Sequence, residues 1–472
     1  MSETALLESL ASKRWFGAKD RKPTDIKFLD RATISEGPPK FEIVLAAVDF
    51  GGKERRVYQL LMATDKDGTV FDAAERPALL QPIGQLMTHG QSLAGRHGAF
   101  TFGGAGLNPF EPPGRKSVKA IKAEQSNSSF VFDSKVIVKV FRRLESGPNP
   151  DLELNRLLTN IGFESVPPQL GEVTYDGNLE RRHVSIDLAI AQQFISRGSD
   201  GWARTVAAVN GVLDGATPEP SARKRREMVQ SSAAPILGDL EQLGDTTAAL
   251  HVVLDRDDLP PELLAEPIRA ADINAWVRRA KSSVNRVGRA HPRFAGGLGD
   301  QTADLFHAFR SLTDWGLKMR IHGDYHLGQA LLTRRGWMIL DFEGEPLRAM
   351  EARRAKQSPL RDVAGMLRSL SYAASTALFA KATPETEEWR RLEPWADTWE
   401  SLARDRFLAA YRRRSHEGRF LSPDRGSLAL MLSFFELDKA LYELIYETEH
   451  RPEWVRIPTR GIRTVLRRRR KR

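Results

Sequence analysis

Ile321-His322-Gly323-Asp324-Tyr325-His326-Leu327-Gly328-Gln329 decides the reading of this chain, and Asp341-Phe342-Glu343-Gly344, starting twelve residues after Gln329, completes it. An acidic residue, an amide five residues on and a second acidic residue after a short hydrophobic run are the working parts of a kinase catalytic loop. In that arrangement the first Asp takes the acceptor's hydroxyl proton, and the amide and the second Asp hold the magnesium that bridges the nucleotide phosphates. Asp324 is then the candidate base, and Gln329 and Asp341 are the candidate metal ligands. Ala330-Leu331-Leu332 and Trp337-Met338-Ile339-Leu340 read as two strands turned by Thr333-Arg334-Arg335-Gly336. A hairpin there brings Gln329 and Asp341 to one end. The competing reading is a metal site of His322, Asp324 and His326 on alternate positions of a strand, which leaves Gln329 and Asp341 without a role. On the kinase reading His322 bonds backbone near the loop.

Upstream, Ser117–Phe141 is dense in β-branched residues and predicts three antiparallel strands. Lys139, in Val136-Ile137-Val138-Lys139-Val140-Phe141, is the candidate lysine for the α- and β-phosphates of ATP. Its expected partner is Glu153, on a helix capped by Asn149 with Pro150 at its first position. A first-turn glutamate also complements the helix dipole without any such partner. Gln125, Ser126 and Ser128 lie in the turn where a phosphate cradle is expected, and no glycine stands there. Neither GxGxxG in that turn nor GxxxxGK[ST] anywhere is present, which argues against a protein kinase proper and excludes the P-loop class. A strand over His183–Phe194 leads to Gln193-Phe194-Ile195, whose backbone at Gln193 and Ile195 is placed to meet adenine.

On the acceptor side, Glu343, Glu345 and Arg348 follow the second Asp directly. Lys439, Tyr442, Glu443 and Tyr446 fall on one helical stripe, where tyrosines stack on sugar rings and Lys and Glu take hydroxyls. An exposed charged helix with a structural tyrosine pair fits the same spacing. Glu343, Glu345, Glu443 and Glu447 together would suit a polycationic acceptor. Arg361-Asp362 reads as an ion-pair tie between the hairpin and the next helix.

The length of 472 residues predicts two or three domains. We expect 1–100, 101–200 and 201–472 as the divisions, with Thr101–Gly114 a Gly- and Pro-rich linker. Other expected elements are a helix near Glu3–Lys13, strands at Lys40–Val48 and Arg55–Met62, a helix from Pro77 to Met87, and mostly helix from Trp202 on. Sheet first and helices after gives an α+β, bilobal, protein-kinase-like fold. The absence of cysteine excludes disulfides and thiolate chemistry and fits a reducing cytosol. The N-terminus is too acidic for a signal peptide, and no apolar run is long enough for a membrane span, so a cytoplasmic protein is expected. Arg463, Arg467, Arg468, Arg469, Arg470, Lys471 and Arg472 supply seven positive charges, and without them the net charge of +10 falls to +3. This tail reads as a solvated, disordered end rather than a specific nucleic-acid site.

The chain resembles the bacterial maltokinases, relatives of the aminoglycoside phosphotransferases. The matching stretches are Arg14-Trp15-Phe16-Gly17, Asn149-Pro150-Asp151, Asp200-Gly201-Trp202, the His322–Leu332 block, Asp341-Phe342-Glu343-Gly344-Glu345-Pro346, Ser358–Ser369, Lys439-Ala440-Leu441-Tyr442-Glu443 and Arg456–Ile462. The likeness covers essentially all but the tail. It implies an N-terminal cap subdomain, a β-rich intermediate subdomain and a helical C-lobe. It also implies transfer of phosphate from ATP, with Mg2+, to the anomeric hydroxyl of maltose, giving maltose 1-phosphate and ADP. Glycogen synthesis from trehalose and a trehalose synthase partner are further implications. Gln329 stands where broader kinases carry Asn, and Asp245-Thr246-Thr247 interrupts a helix usually more basic in relatives. The alternatives are a kinase of the same fold acting on glucosamine, an aminoglycoside or another sugar, and a binding module without chemistry.

Overall fold

The computed structural model describes residues 3–16, 21–52, 54–103, 118–121, 127–218, 221–345 and 348–470. The chain divides into two compact units, Met1–Arg197 and Gly198–Arg472.

The first unit is built on two sheets. The smaller runs Asp25–Ser35, Lys40–Asp49, Arg55–Thr64 and Arg143–Leu144, with Val70–Asp72 paired to the third of these strands. The larger has seven strands, in the order Ser92–Ala94, Gly98–Phe102, Gln169–Leu179, Arg182–Gln193, Val136–Phe141, Asn127–Phe132 and Val118–Ile121. The three strands expected across Ser117–Phe141 are therefore present, and Val136–Phe141 lies inside the sheet. Phe102, expected in a linker, is instead the buried end of a strand, with Phe100 beside it in the core. Most of the expected linker lies outside the described residues. The chain passes from Val136–Phe141 through Arg142 into Arg143–Leu144, so Arg142 marks the step from one sheet to the other.

Arg142 is fully buried. Its Nη2 donates to both Asp72 carboxylate oxygens at 3.1 and 3.0 Å, its Nε donates to Ser128 Oγ at 2.8 Å, and its guanidinium lies 4.6 Å from the Trp15 ring centroid. Phe16 stacks on Tyr58 at 4.8 Å, and the Tyr58 hydroxyl donates to the Phe16 carbonyl. Trp15 and Phe16 are thus seated on the smaller sheet, Trp15 over a buried arginine, a charge that needs such partners to be tolerated; Gly17 lies outside the described residues.

The second unit is helical around a three-stranded sheet of Ser199–Asp200, Ala330–Thr333 and Gly336–Ile339. Asp200 caps the helix Gly201–Asp214 by accepting from Ala203 N–H at 2.7 Å. A side chain at Gly201 would place its first carbon 2.7 Å from the carbonyl oxygens of Leu327 and Ala330, so only glycine lets this helix start against the hairpin. The long helices Ala234–Leu254, Leu360–Lys381, Glu387–Ser415 and Arg425–His450 form the bulk of the unit. Up to Arg470 the basic end is not the disordered tail expected: Arg456–Arg470 is a helix, and Ile457, Ile462, Val465 and Leu466 are buried on one side of it, while Lys471 and Arg472 lie outside the described residues. An apolar stripe at helical spacing outweighs the repulsion among its arginines.

Candidate active site

Ala330 pairs with Ile339 and Thr333 with Gly336, so the expected hairpin forms. Gln329 and Asp341 come together at its open end, with Gln329 Nε2 donating to Asp341 Oδ2 at 3.1 Å. That orientation leaves the Gln329 Oε1 and the Asp341 carboxylate as oxygen donors suited to a hard cation. Asp341 has φ +64°, a left-handed conformation that costs energy in any residue with a Cβ and is concentrated at functional positions.

The loop before the hairpin is braced from behind. His322 Nε2 donates to the Leu340 carbonyl at 2.9 Å, and its Nδ1 accepts from Asp324 N–H. Buried Asp362 accepts from the N–H groups of His322 and Gly323 at 2.8 and 2.9 Å and meets His251 Nε2 at 3.3 Å. Burial pushes the Asp362 carboxyl up, but His251, His322 and the Gly323 N–H outweigh it and hold it below the usual range. Asp362 is therefore a backbone brace, while Arg361, expected to act with it, pairs at 3.0 Å with Asp438. Tyr325 is anchored by Thr247 Oγ1 at 3.0 Å, which gives the Asp245–Thr247 segment a role its sequence did not disclose. Gly323 (φ +85°) and Gly344 (φ +73°) meet face to face: a Cβ on Gly323 would stand 3.2 Å from Gly344 Cα.

These supports leave Asp324 partly exposed, with Lys439 Nζ 3.2 Å from its Oδ1 and His326 Nε2 4.0 Å from its Oδ2. Burial pulls the His326 imidazole pKa down despite the nearby Asp324. Lys439 also donates to Glu345 Oε1 at 2.7 Å, and its ammonium lies 5.2 Å from the Tyr442 ring centroid. Glu345 is buried and is bonded to Arg348 as well. Burial alone would push its carboxyl up, yet Lys439 and Arg348 hold it at about 2. Burial, Glu345 and Asp324 push the Tyr442 hydroxyl up to about 12.

The stripe on the helix Arg425–His450 therefore divides. Lys439 and Tyr442 reach the Asp324–Glu345 cluster. Glu443, expected to take a substrate hydroxyl, is turned inward, buried, and paired with Arg368 at 2.8 Å. Its helix position faces the helix Leu360–Lys381, where an unpaired arginine would be costly. Tyr446 is half-buried and stacks on His450 at 4.3 Å. Glu343 is half-buried on the turn that follows Asp341.

In the first unit, Lys139 is buried with its Nζ 3.3 Å from Asp151 Oδ2. This acid stands two residues before the expected Glu153, roughly 200° away around the helix. Sequence reasoning missed Asp151 although it had marked Asn149-Pro150-Asp151. Asn149 caps the helix by accepting from Asp151 N–H at 2.9 Å, and Asn155 Nδ2 donates to Asp151 Oδ1 at 2.8 Å, so the acid is fixed from both sides. Ser128 is a correction. Ser129, not Ser128, stands opposite Lys139 in the register, so the two-residue period turns Ser128 to the other face, where Arg142 takes its hydroxyl. Gln125 and Ser126 lie outside the described residues. The Gln193 N–H is bonded to the Pro168 carbonyl and that of Phe194 to the Lys135 carbonyl, while Ile195 is half-buried just beyond.

Residues 10–84 match the family described as the maltokinase N-terminal cap domain. A glucosamine kinase of Mycolicibacterium smegmatis is 27% identical over 378 residues, covering 79% of this chain and 84% of the relative. A glucosamine kinase of Streptacidiphilus jiangxiensis is 26% identical over 357 residues, covering 74% and 73%. Among solved structures, a glucosamine kinase in complex with glucosamine, ADP and inorganic phosphate superposes with a TM-score of 0.68 at 20% identity, over 98% of this chain and 99% of that one. A second crystal form of glucosamine kinase gives 0.70 over the same shares, also at 20% identity. Fold and loop together define a phosphotransferase with the α+β, protein-kinase-like architecture. Within that class residues 10–84 are similar to the maltokinase N-terminal cap domain, and most of the chain's length is similar to glucosamine kinases.

Proposed function

We propose that this protein is a sugar kinase that transfers phosphate from ATP to the anomeric hydroxyl of maltose, releasing maltose 1-phosphate and ADP. Asp324 accepts the hydroxyl proton as the acceptor oxygen attacks. Lys139, held by Asp151, meets the nucleotide phosphates, with Glu153 and the backbone at Gln193 and Ile195 as further nucleotide-side positions. Gln329 and Asp341 hold Mg2+, which supplies neutralisation of the charge that develops on the transferred phosphoryl group. Glu345, Arg348, Lys439 and Tyr442 form the acceptor side. The expected division at 1–100, 101–200 and 201–472 is kept as cap, intermediate subdomain and C-lobe, except that its first boundary, which would cut the strand Gly98–Phe102, moves upstream of that strand.

One observation carries the choice of a neutral acceptor: three of the four acidic side chains offered for a cationic one, Glu345, Glu443 and Glu447, are already paired with cations. Glu345 is held by Lys439 and Arg348, Glu443 by Arg368, and Glu447 by Arg451 and the Tyr372 hydroxyl. An ammonium ligand needs desolvated carboxylates of its own, whereas sugar hydroxyls bond to charged groups of either sign. The second reading, glucosamine as acceptor, is favoured by the two curated relatives. ADP release with maltose, trehalose, glucose, glucosamine and kanamycin separates them, followed by NMR of the product for phosphate on the anomeric carbon. Maltose is expected to exceed glucosamine in kcat/KM at least tenfold, about 1.4 kcal/mol. A preference for glucosamine would replace the first reading with the second. No helix among the described residues is long and apolar enough to cross a membrane. A cytoplasmic setting, with a trehalose synthase supplying maltose, belongs to the same proposal.

A further inference from the structure

The Asp324–Glu345 cluster has the composition of an ammonium-binding site, and the chain fills it with its own lysine. Two carboxylates and an aromatic face surround Lys439 Nζ: Asp324 Oδ1 at 3.2 Å, Glu345 Oε1 at 2.7 Å and the Tyr442 ring at 5.2 Å. This is the set of groups that would recognise the amine of an aminated sugar. We propose that Lys439 is the specificity-determining residue that excludes amino-sugar acceptors, its ammonium standing where the ligand's ammonium would have to stand. The inference rests on the neutral-sugar reading above and deepens it.

The neighbourhood reinforces the exclusion. Arg348 is bonded to Glu345, and Arg361 is paired with Asp438 on the residue next to Lys439. Arg361 keeps its Nε and Nη2 buried with no hydrogen-bond partner among the described residues, and so does Arg279. Arg279 interacts electrostatically with Asp438, Arg348 and Glu345, which places it in the same cluster. Four cationic side chains thus face the three carboxylates of Asp324, Glu345 and Asp438. Lys439 itself stays protonated there: burial pulls its pKa down, but Glu345 and Asp324 outweigh burial and push it up. An incoming ammonium would find the carboxylates taken and would add to a local surplus of positive charge. A hydroxyl at the same position has no charge to be repelled, and its oxygen accepts from the Lys439 ammonium.

The test is kcat and KM for maltose, glucose and glucosamine in the wild type, Lys439→Met, Lys439→Arg and Glu345→Gln, each first checked by circular dichroism and thermal unfolding. Lys439→Met leaves the carboxylates open to a ligand amine. It should raise the glucosamine-to-maltose ratio of kcat/KM at least tenfold, chiefly through a lower KM for glucosamine. Lys439→Arg keeps the charge and should keep the wild-type ratio. Glu345→Gln removes a carboxylate while leaving the lysine and should move the ratio the other way, so the proposal stays testable if Lys439→Met fails to fold. An unchanged ratio in Lys439→Met, or an equal loss on both acceptors, overturns the inference while leaving the neutral-sugar reading in place. If the wild type itself prefers glucosamine, both the reading and the inference fall.

Discussion

Two lysines, one in each unit, are held by carboxylates in different ways. Lys139 sits in the middle of a strand, fixed by two neighbouring strands, and meets Asp151 at the start of the helix Pro150–Asn160. Lys439 extends from a long helix to a loop carboxylate 115 residues earlier in the chain and shares itself between Asp324 and Glu345. The first is a buried pair whose geometry the sheet dictates. The second is a partly exposed bridge to a group that also has to reach a substrate. Loss of a partner should therefore act differently at the two centres: on nucleotide binding and stability at the first, on chemistry and acceptor choice at the second.

The largest effect is expected at the second centre. Asp324→Asn should leave the fold intact and lower kcat by roughly two to four decades, the usual contribution of a general base. Its main-chain supports, Asp362 and His322, are untouched by the change. Steady-state kinetics with a thermal melt checks both halves, and a variant keeping more than about a third of wild-type kcat would remove Asp324 from the base role.

The first centre should respond next. Asp151→Asn leaves Lys139 buried with a neutral partner, and breaking a buried pair costs about 3–5 kcal/mol. The variant should melt at a lower temperature and show a KM for ATP raised about tenfold or more, with the KM for the sugar little changed. Glu153→Gln, on the opposite side of the helix, should do much less to both. If Glu153→Gln raises the ATP KM as far as Asp151→Asn does, the pair seen here is not the one that organises the nucleotide side.

The same contrast explains what could be read from the sequence. The hairpin was legible because turn residues stand between two short apolar runs side by side in the chain, and its closure alone brings Gln329 to Asp341. Lys139 was legible as a candidate because it stands in an apolar strand; strand alternation alone set it facing out, and its burial comes from the neighbouring strands and Asp151. Ser128 was misplaced by the same rule, since its face depends on a register that only the paired strand supplies. Asp151 and Glu443 were misjudged because helical spacing shows which residues share a face, not which face is turned to the core. Two strands, Asp25–Ser35 and Gln169–Leu179, gave no clear signal, being interrupted by Asp, Gly and Asn, and only their places in sheets make them strands. The brace from Asp362 to His322 and Gly323, and the Thr247–Tyr325 bond, join residues 39 to 78 positions apart, a distance at which pattern carries no information.

The smallest effect is expected at the basic end, where charge count and structure point in opposite directions. Seven positive charges within ten residues suggest a disordered polyanion-binding tail, yet Ile457, Ile462, Val465 and Leu466 bury one face of Arg456–Arg470. Burial of such side chains contributes about 1.5–3 kcal/mol each, well above the few tenths at stake in an exposed charge pair. Deleting residues 467–472 removes six of the charges and none of these four aliphatic residues. It should leave kcat within about twofold, shift the melting temperature by no more than about 2 °C, and weaken retention on an anionic resin. Deleting residues 456–472 removes the apolar face and also uncovers Arg368, whose guanidinium packs where Gly461 has no side chain. That longer deletion should lower the melting temperature by about 5 °C or more. Equal melting temperatures for the two truncations would mean that the helix is not docked and that the tail behaves as its composition alone suggests.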